Sequence, residues 1–284
     1  MINYSFTKLN AAGNDFILFD KKVNPEVELT PQVIKKLSHR QTGIGADGIL
    51  LISDIDGYAF GMNYYNADGS TGSLCGNGVR CAIWYGKESC RIGDDRVNFI
   101  ANGTEYSGKV LDYGLVRFYL NQPAKLKYNF KIKAANQLIN ASYADTGSPH
   151  VVINIGDVLR NPSVPNSFFM DLNDFPVKEI GREIRNHKDF APEGTNVNFI
   201  RIENEVVKIR SYERGVEDET LSCGTGSVAA AIISNANYNL KPPINLLSKG
   251  GFKLVVDFIV ENHEVRDLSL TGPAEITFKG EITI

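Results

Sequence analysis

The amino-acid sequence predicts an α/β (α+β) protein of two pseudo-symmetric lobes, each a curved sheet or barrel of strands around one central helix. Three observations support this fold class. The chain has 284 residues, which is enough for two domains of ordinary size. Apolar runs of strand length are frequent, and helical patterns are few. A motif of one cysteine, two spaced glycines and an apolar run occurs twice, half the chain apart.

The repeated motif indicates an internal duplication. Residues 73–81 read SLCGNGVRC, and residues 222–234 read SCGTGSVAAAIIS. A weaker repeat lies earlier in each half, where GNDFILFD and GSPHVVIN each pass from a glycine turn into an apolar strand. Similarity at a fixed separation is the signature of repeated units. We therefore expect two lobes facing each other, residues 1–122 plus 273–284 and residues 123–272, each contributing one cysteine.

Local patterns place the elements along the chain. Thr30 followed by Pro31 predicts a capped amphipathic helix, and residues 176–187 predict another. The runs after the two cysteines predict the central helices, and the second run is apolar nearly all round, which indicates burial. Residues 121–129 are the expected linker, and the closing LTGPAEITFKGEITI suits a strand in either lobe. The remaining runs predict strands: FILFD, GILLIS, AFGMNYY, LVRFYL, HVVINI, VNFIRI, VVKIRSY and FKLVVDFIV.

Composition and charge exclude several classes of partner. The net charge is −3 and the hydrophobic content is 43%, so neither nucleic acid nor an anionic membrane is expected to bind. No apolar run approaches the roughly 20 residues that a membrane-spanning helix needs. The first residues lack the charged-then-apolar pattern of a signal peptide. We therefore expect a cytoplasmic protein with reduced thiols.

The sequence motifs indicate neither a metal site nor a nucleotide site. The four cysteines form no CxxC pair and no zinc-ligand spacing. Residues 43–48, GIGADG, have the spacing of a dinucleotide-binding loop, but they follow a helical pattern and precede a strand, the reverse of the required order. Cys81 and Cys90 are expected to be small buried residues. The histidines expected at the surface are His39, His187 and His263.

A thiol at a helix N-terminus is well placed for acid/base chemistry. The first amides of a helix have no intrahelical acceptor, and the helix dipole adds positive charge there, so the thiolate form is favoured. Cys75 and Cys223 are therefore the predicted catalytic residues. The first N–H groups of both helices are predicted to bind one substrate carboxylate: those of Gly76, Asn77, Gly224 and Thr225.

Two thiols on opposite sides of such a carboxylate would invert the carbon next to it. One sulfur would remove the α-hydrogen, and the other would return a proton to the opposite face. The helix amides stabilise the enolate-like charge, and contact of the base with the carbon supplies much of the remaining rate. The scheme requires no cofactor, and the sequence indicates none. His150 follows a glycine turn, while Glu213 and Arg214 precede the second motif, where they suit an ammonium and a carboxylate.

Motifs along the whole chain are similar to those of one enzyme family. They are GNDF, NADGS followed by CGNG, GSPH, EGTNVNF, YERG, SCGTGS and LTGPA. In these motifs the chain resembles the diaminopimelate epimerases, cofactor-independent amino-acid epimerases of lysine and peptidoglycan-precursor biosynthesis. The resemblance implies a homodimer, an active site in the cleft between the lobes, and lobe closure over the substrate. It also implies interconversion of LL- and meso-2,6-diaminopimelate by a thiolate and a thiol.

The resemblance assigns roles to individual residues. It implies that Glu213 contacts a substrate ammonium and, with His150, tunes the ionisation of the thiols. It implies that the distal end of the substrate is held by four further residues: Asn14, Asn66, Asn196 and Arg214. Two positions depart from the common family pattern, Ser148 where asparagine is frequent and Gly48 where glutamine is frequent. Either change is expected to loosen the distal pocket or to admit water.

Two other hypotheses remain open from the sequence. One is a sister activity on the same scaffold, a proline or hydroxyproline racemase or an isomerase of the phenazine-pathway type. Proline racemases usually have a histidine after the first Cys-Gly and a DRSPCGTG stretch, whereas this chain has Asn77 and LSCGTG. The other is a non-catalytic dimeric binding module for amino acids, although two helix-capping thiols have no evident use in binding.

Overall fold

The computed structural model describes residues 2–72, 74–262 and 264–284. The chain forms two compact units, of which the first is Met1–Leu120 with Thr271–Ile284 and the second is Asn121–Leu270. Both units contain strands and helices. The predicted α/β (α+β) class is therefore confirmed.

The first unit is built around helix α2. Its helices are α1 (Pro31–Ser38) and α2 (Gly76–Glu88), and its strands are β1 (Asn3–Ala11), β2 (Asn14–Asp20), β3 (Gly48–Ser53), β4 (Gly61–Asn66), β5 (Val97–Ala101), β6 (Thr104–Val110), β7 (Leu115–Tyr119) and β17 (Glu275–Thr283). The closing segment forms β17, which pairs antiparallel with β1. Strand β7 pairs antiparallel with β6.

The second unit has the same plan around helix α4. Its helices are α3 (Val177–Arg185) and α4 (Gly224–Tyr238), and its strands are β8 (Lys125–Ala134), β9 (Gln137–Asp145), β10 (Pro149–Asn154), β11 (Asn196–Glu203), β12 (Val206–Glu213), β13 (Asp218–Thr220), β14 (Ile244–Ser248) and β15 (Lys253–Glu261). Strand β16 (Glu264–Pro273) begins in this unit and ends in the first. Most of the segment expected as a linker is instead strand, because β8 already begins at Lys125.

Strand pairing shows the duplication more clearly than the sequence does. In the first unit the successive pairs from β1 to β6 are antiparallel, parallel, antiparallel, parallel and antiparallel. The successive pairs of β9, β10, β11, β12, β14 and β15 have the same five orientations. Helices α1 and α3 follow the second strand of each series, and α2 and α4 follow the fourth. The two lobes are therefore pseudo-symmetric, as predicted.

Strands surround each central helix, which explains the apolar runs that follow the two cysteines. Helix α2 packs against β1, β2, β3, β6, β7 and β17, while α4 packs against β9, β10, β11, β12, β14 and β15. Every residue of α4 from Gly224 to Ser234 is buried. Burial of this kind stabilises the fold by about 1.5–3 kcal/mol for each large aliphatic side chain. The ends of these helices are consequently held rigidly by the surrounding strands.

The two shorter helices form where the sequence predicts them. Thr30 caps α1 by accepting a hydrogen bond from the Val33 N–H at 3.3 Å, and Pro31 occupies the first turn. Helix α3 forms although it contains Gly181, a residue that weakens helices. A Cβ atom at this position would lie 2.6 Å from Cβ of Tyr212, so the glycine allows α3 to approach β12 closely.

Three predictions about single residues have different outcomes. Cys81 is fully buried, as expected. The expectation for Cys90 is wrong, because this residue is exposed and has a left-handed backbone with φ 57°. It lies in the turn that ends α2, where its N–H bonds to the Lys87 carbonyl at 3.1 Å. His39 is exposed as expected, His187 is half-buried, and His263 lies outside the described residues.

Among the described residues, no helix combines the length and the apolar character needed to cross a bilayer.

Candidate functional site

Cys75 caps the N-terminus of α2 in the first unit. Its backbone is extended, with φ −109° and ψ 103°, and its sulfur accepts a hydrogen bond from the Gly78 N–H at 3.4 Å. Asn14 Oδ1 lies 3.9 Å from the same sulfur. The N–H groups of Gly76 and Asn77 belong to the first turn, where no intrahelical acceptor exists. This helix end therefore combines a sulfur with amides that suit an anion.

Cys223 has the same local geometry in the second unit. It caps α4 with φ −115° and ψ 113°, and its sulfur accepts from the Gly226 N–H at 3.4 Å. Gly224 and Thr225 form the first turn. The duplicated motif thus produces, in each unit, a thiol at the positive end of a buried helix. A thiolate is favoured over a thiol at such a position.

A buried polar network behind α4 determines the tautomer of His150. The Asn198 amide nitrogen lies 3.1 Å from the Val151 carbonyl oxygen, which can only accept, so Nδ2 is the donor end of this amide. Asn198 Nδ2 also lies 3.1 Å from His150 Nδ1, which must therefore carry the lone pair. The proton of a neutral His150 is then on Nε2, which lies 2.9 Å from both Ser148 Oγ and Thr225 Oγ1.

The network leads from His150 to the sulfur of Cys223. Thr225 Oγ1 lies 2.9 Å from Nε2 and 3.8 Å from Cys223 Sγ, so a Thr225 hydroxyl that accepts from the imidazole can donate its own proton to the sulfur. Ser211 stabilises the other end by donating to Asn198 Oδ1 at 2.8 Å. Burial, with a smaller contribution from the charge of Arg214, lowers the pKa of His150 to about 3. His150 therefore acts at neutral pH as an uncharged N–H donor and not as an imidazolium.

The burial of neutral His150 makes the stability of the fold depend on pH. Its pKa is about 3 in the folded chain but about 6.5 when unfolded, so between these values the unfolded chain binds one more proton. The free energy of unfolding is expected to fall by up to about 1.4 kcal/mol per pH unit as the pH drops below about 6.5. Urea denaturation between pH 7.5 and pH 5 measures this slope. In His150→Gln the slope should be shallower by this amount, and an unchanged slope would contradict the assignment of a neutral buried imidazole.

Near Cys75, charged residues determine the orientation of the Asn14 amide. Asn14 Nδ2 donates to Asp47 Oδ2 at 2.5 Å, so Oδ1 faces the sulfur and the Asn77 amide, which donates to it at 3.3 Å. Asp47 is held by Arg40, which also bonds to Asp15. Burial raises the pKa of Asp15, but hydrogen bonds from Arg40 and Lys8 outweigh this and bring that pKa to about 2. Asp15 is therefore ionised throughout the physiological range.

The two positions that depart from the family pattern have close neighbours. Ser148 is hydrogen-bonded within the His150 network. A Cβ atom at Gly48 would lie 2.5 Å from the ring of Tyr64 and 2.6 Å from the Tyr65 carbonyl oxygen, so the aromatic ring fills this space. The effect of the two changes on the distal pocket stays a prediction.

The remaining predicted residues lie at or next to the ends of strands. Asn66 lies at the end of β4, where its amide donates to Ser70 Oγ at 2.9 Å. In the second unit, the Asn196 amide donates to the Pro149 carbonyl and accepts from the Arg214 N–H, both at 2.9 Å. Asn196 thus holds the backbone at Arg214. Glu213 accepts a short hydrogen bond from the Thr220 hydroxyl.

Sequence reasoning missed several members of these networks. Asn198 follows Asn196 by two positions in β11, and Ser211 precedes Glu213 by two in β12. Side chains two apart in a strand lie on the same face, so this alternation is a signal that identifies both. Asp47 and Arg80 carried no comparable signal. Within the described residues, no group of three or more His, Cys, Asp or Glu side chains is arranged to hold a metal ion.

Comparison with known proteins identifies the family. The family model described as "Diaminopimelate epimerase" matches residues 6–114 and 142–277 of the chain. The chain belongs to the diaminopimelate epimerase family. Enzymes of this family are isomerases, and the amino-acid-epimerase class expected from the motifs is confirmed.

Relatives from distant organisms match over almost their whole length. A diaminopimelate epimerase of Chlorobaculum tepidum is 35% identical and aligns with 97% of this chain and 100% of its own. One from Aquifex aeolicus is 32% identical over 98% of this chain and 97% of its own. One from Flavobacterium psychrophilum is 34% identical, with 97% and 98% covered. The family assignment therefore applies to both units.

Solved structures with the same fold belong to other members of this structural class. A phenazine biosynthesis protein of the PhzF family from Bacillus anthracis aligns with a TM-score of 0.72 at 14% identity, covering 100% of both chains. A probable proline racemase from Agrobacterium radiobacter K84 aligns with a TM-score of 0.73 at 12% identity, covering 99% of this chain and 93% of its own. At such low identity these likenesses concern the fold alone. The racemase and phenazine-type alternatives are thus related to the diaminopimelate epimerase family as scaffolds.

Proposed function

We propose that the protein interconverts LL- and meso-2,6-diaminopimelate in lysine and peptidoglycan-precursor biosynthesis, with Cys75 and Cys223 acting on opposite faces of one α-carbon. The observation that carries the proposal is the duplicated cap: each unit has a cysteine at the N-terminus of its central helix, with a backbone N–H 3.4 Å from the sulfur. Family membership supports the substrate, because the relatives are named diaminopimelate epimerases.

The chemistry consists of two proton transfers at one carbon. A thiolate takes the α-hydrogen, so that the C–H bond breaks and an S–H bond forms. On the opposite face, the other thiol gives its proton to the carbon, so that its S–H bond breaks and it becomes the thiolate. The first-turn amides of α2 and α4 bind the α-carboxylate and stabilise the negative charge that develops on it. Atoms and charges balance without a cofactor.

The polar side chains near each cap suit the rest of the substrate. Arg214 presents a guanidinium, which binds a carboxylate in bidentate fashion, and Glu213 presents a carboxylate for an ammonium group. Asn196 supports this pair by holding the Arg214 backbone. In the first unit, Asn14 presents its carbonyl oxygen beside Cys75, and Asn66 is the last residue of β4. We assign these five residues to the recognition of the two amino-acid ends.

The tuning role that the family resemblance implies for His150 depends on hydrogen bonding, since the imidazole is neutral. An imidazolium would stabilise a thiolate by charge, but His150 is uncharged at neutral pH. Its N–H instead orients the Thr225 hydroxyl, whose proton is then available to the sulfur of Cys223. We assign His150 and Thr225 to the stabilisation of the Cys223 thiolate through hydrogen bonding.

Isotope incorporation from heavy water tests the two-base mechanism. The enzyme is incubated with LL-diaminopimelate in D₂O under reducing conditions, and deuterium is measured in both isomers during the first few per cent of conversion. Newly formed meso product should carry solvent deuterium at the inverted carbon, while the remaining LL substrate carries almost none. Equal labelling of both pools from the start indicates a single base serving both faces. Absence of turnover with LL-diaminopimelate, together with turnover of proline, assigns the sister activity.

We also infer a cytoplasmic homodimer, which the resemblance to the family supports. Light scattering of the purified protein should return twice the mass of the chain, and a monomeric mass under assay conditions would exclude it.

A further inference from the structure

Arg80 is a buried cation that pairs with no carboxylate among the described residues. It lies in α2 and is 0% exposed. Its guanidinium donates to the Gly76 carbonyl at 3.2 Å, to Asn77 Oδ1 at 2.6 Å and to the Pro273 carbonyl at 3.5 Å. All three acceptors are neutral, and none of its contacts among the described residues is an ion pair. Arginine is almost never fully buried without a counter-charge, since the desolvation of a charge is costly.

The position of this cation makes its burial more costly still. Arg80 reaches back to the first turn of α2, and the helix dipole already makes that end positive. Burial lowers the pKa of Arg80, but only to about 10, so the guanidinium remains charged at neutral pH. This helix end therefore has an excess of buried positive charge. An anion at the cap would compensate it.

The ionisable groups that interact with Arg80 limit the choice of that anion. Those that act on its charge are Cys81 and Cys75. Cys81 is fully buried, and burial raises the pKa of its thiol far above the physiological range, so it stays neutral. Two carboxylates also act on this segment, but Glu275 is exposed to solvent and Asp15 is already paired with Lys8. The remaining candidates are the thiolate of Cys75 and a carboxylate bound at the same amides.

A chain of oriented amides connects Arg80 to the surroundings of the Cys75 sulfur. Arg80 donates to Asn77 Oδ1, so the Asn77 nitrogen faces away and donates to Asn14 Oδ1 at 3.3 Å. The Asn14 nitrogen donates in turn to Asp47. A pure donor at one end and a carboxylate at the other leave only one orientation for both amides. Arg80 thereby fixes the positions of the two asparagines that lie beside Cys75.

The second unit has no equivalent charge. The residue five positions after Cys223 is Val228, which is also fully buried. Both helices are capped by a cysteine in the same way. Cys223 therefore serves as an internal reference for a capping thiol without a buried arginine in its helix. A buried arginine in the helix therefore distinguishes the surroundings of Cys75 from those of Cys223, although the backbone geometry at the two caps is the same.

We propose that Arg80 is a positioning residue for epimerisation: it fixes the orientation of Asn77, and its buried charge, five residues after Cys75 in α2, stabilises the thiolate of Cys75 against the carbonyl oxygen that Asn14 turns towards the sulfur. The consequence is that Cys75 is the resting base of the pair and Cys223 the resting acid. The acid and base roles in this inference rest on the proposed function. The lowered pKa of the Cys75 thiol does not, and it can be measured without turnover.

Alkylation of the two cysteines as a function of pH tests the proposal. Wild-type enzyme without substrate is treated briefly with iodoacetamide between pH 5 and pH 10, and mass spectrometry quantifies the modified peptides that contain Cys75 and Cys223. The midpoint for Cys75 should lie below that for Cys223 by about one pH unit or more, the size of effect that a nearby charge has on a pKa. This comparison needs no substitution, and equal midpoints, or a lower midpoint for Cys223, would overturn the proposal.

Substitutions at Arg80 separate charge from packing. Arg80→Gln, which removes the charge, should raise the Cys75 midpoint by about one unit or more and leave the Cys223 midpoint unmoved. Arg80→Lys, which retains the charge, should restore a low midpoint. An equal shift at both cysteines in folded Arg80→Gln indicates a structural role only and contradicts the proposal. Since the readout is alkylation, its result is independent of whether LL-diaminopimelate proves to be the substrate.

Discussion

Replacing either Cys75 or Cys223 by alanine is expected to lower kcat/KM for epimerisation by about 10³-fold or more. In the proposed mechanism each sulfur carries one of the two proton transfers, and a positioned acid or base contributes about 10²–10⁴-fold to the rate. The loss should appear mainly in kcat, because the first-turn amides that bind the carboxylate belong to the backbone and remain. A coupled or chiral assay of meso-diaminopimelate formation from the LL isomer measures it.

The single-cysteine variants should lose the inversion of the α-carbon but keep the exchange of its α-hydrogen with solvent. The remaining thiolate still removes the α-hydrogen and returns solvent hydrogen to the same face, so in D₂O one isomer should gain deuterium without conversion. Cys90→Ala is the matched control, because Cys90 is exposed and lies after the end of α2. Full activity in either Cys75→Ala or Cys223→Ala would contradict the two-thiol mechanism.

Gly226→Ala is expected to lower kcat/KM by about 10²-fold, the loss that a displacement of about 1 Å in a catalytic group can cause. A Cβ atom at Gly226 would lie 2.3 Å from Asn198 Oδ1 and 3.1 Å from the sulfur of Cys223. The first distance is a severe overlap, so Asn198 must move. Because Asn198 orders His150, the displacement should disturb both the cap and the network behind it.

The internal repeat supplies the control for this prediction. Gly78 occupies the corresponding position in α2, where a Cβ atom would lie 3.2 Å from the Leu50 side-chain tip and 3.5 Å from the Phe16 ring. These neighbours need to move only a few tenths of an ångström, so Gly78→Ala should lose at least about tenfold less activity than Gly226→Ala. Thermal unfolding of both variants shows whether they fold. Equal losses in two well-folded variants would contradict the role given to Asn198.

The two capping cysteines have the same backbone geometry, but different side chains surround them. In the second unit the sulfur lies in a network of neutral groups, Asn198, His150 and Thr225. In the first unit the nearby amides are oriented by charges, Arg80 at one end and Asp47 at the other. An ancestral duplication with identical surroundings would give two equivalent thiols. The observed difference gives each thiol a distinct environment, which suits a reaction in which one begins as base and the other as acid.

Several features could be predicted because neighbouring residues determine them. A cysteine followed by Gly-x-Gly and an apolar run predicts a capped buried helix, since capping depends on a side chain and an N–H three residues apart. The start of α1 is likewise determined by neighbouring residues, since Thr30 caps the helix and Pro31 begins it. Strand runs and the repeat likewise follow from periodicity along the chain, which is why the fold class and both capping cysteines were found.

The sequence by itself thus determined the elements, their duplication and the two helix-capping thiols. Only the tertiary structure decided which groups surround each thiol, because those partners are distant in the chain: Asn198 contacts His150 from 48 residues away, and His150 contacts Thr225 from 75 residues away. Burial is decided in the same way. A lone histidine and a lone arginine have ordinary pKa values in a sequence, and it is the packing of strands around α4 and α2 that makes His150 neutral and leaves Arg80 charged without a carboxylate.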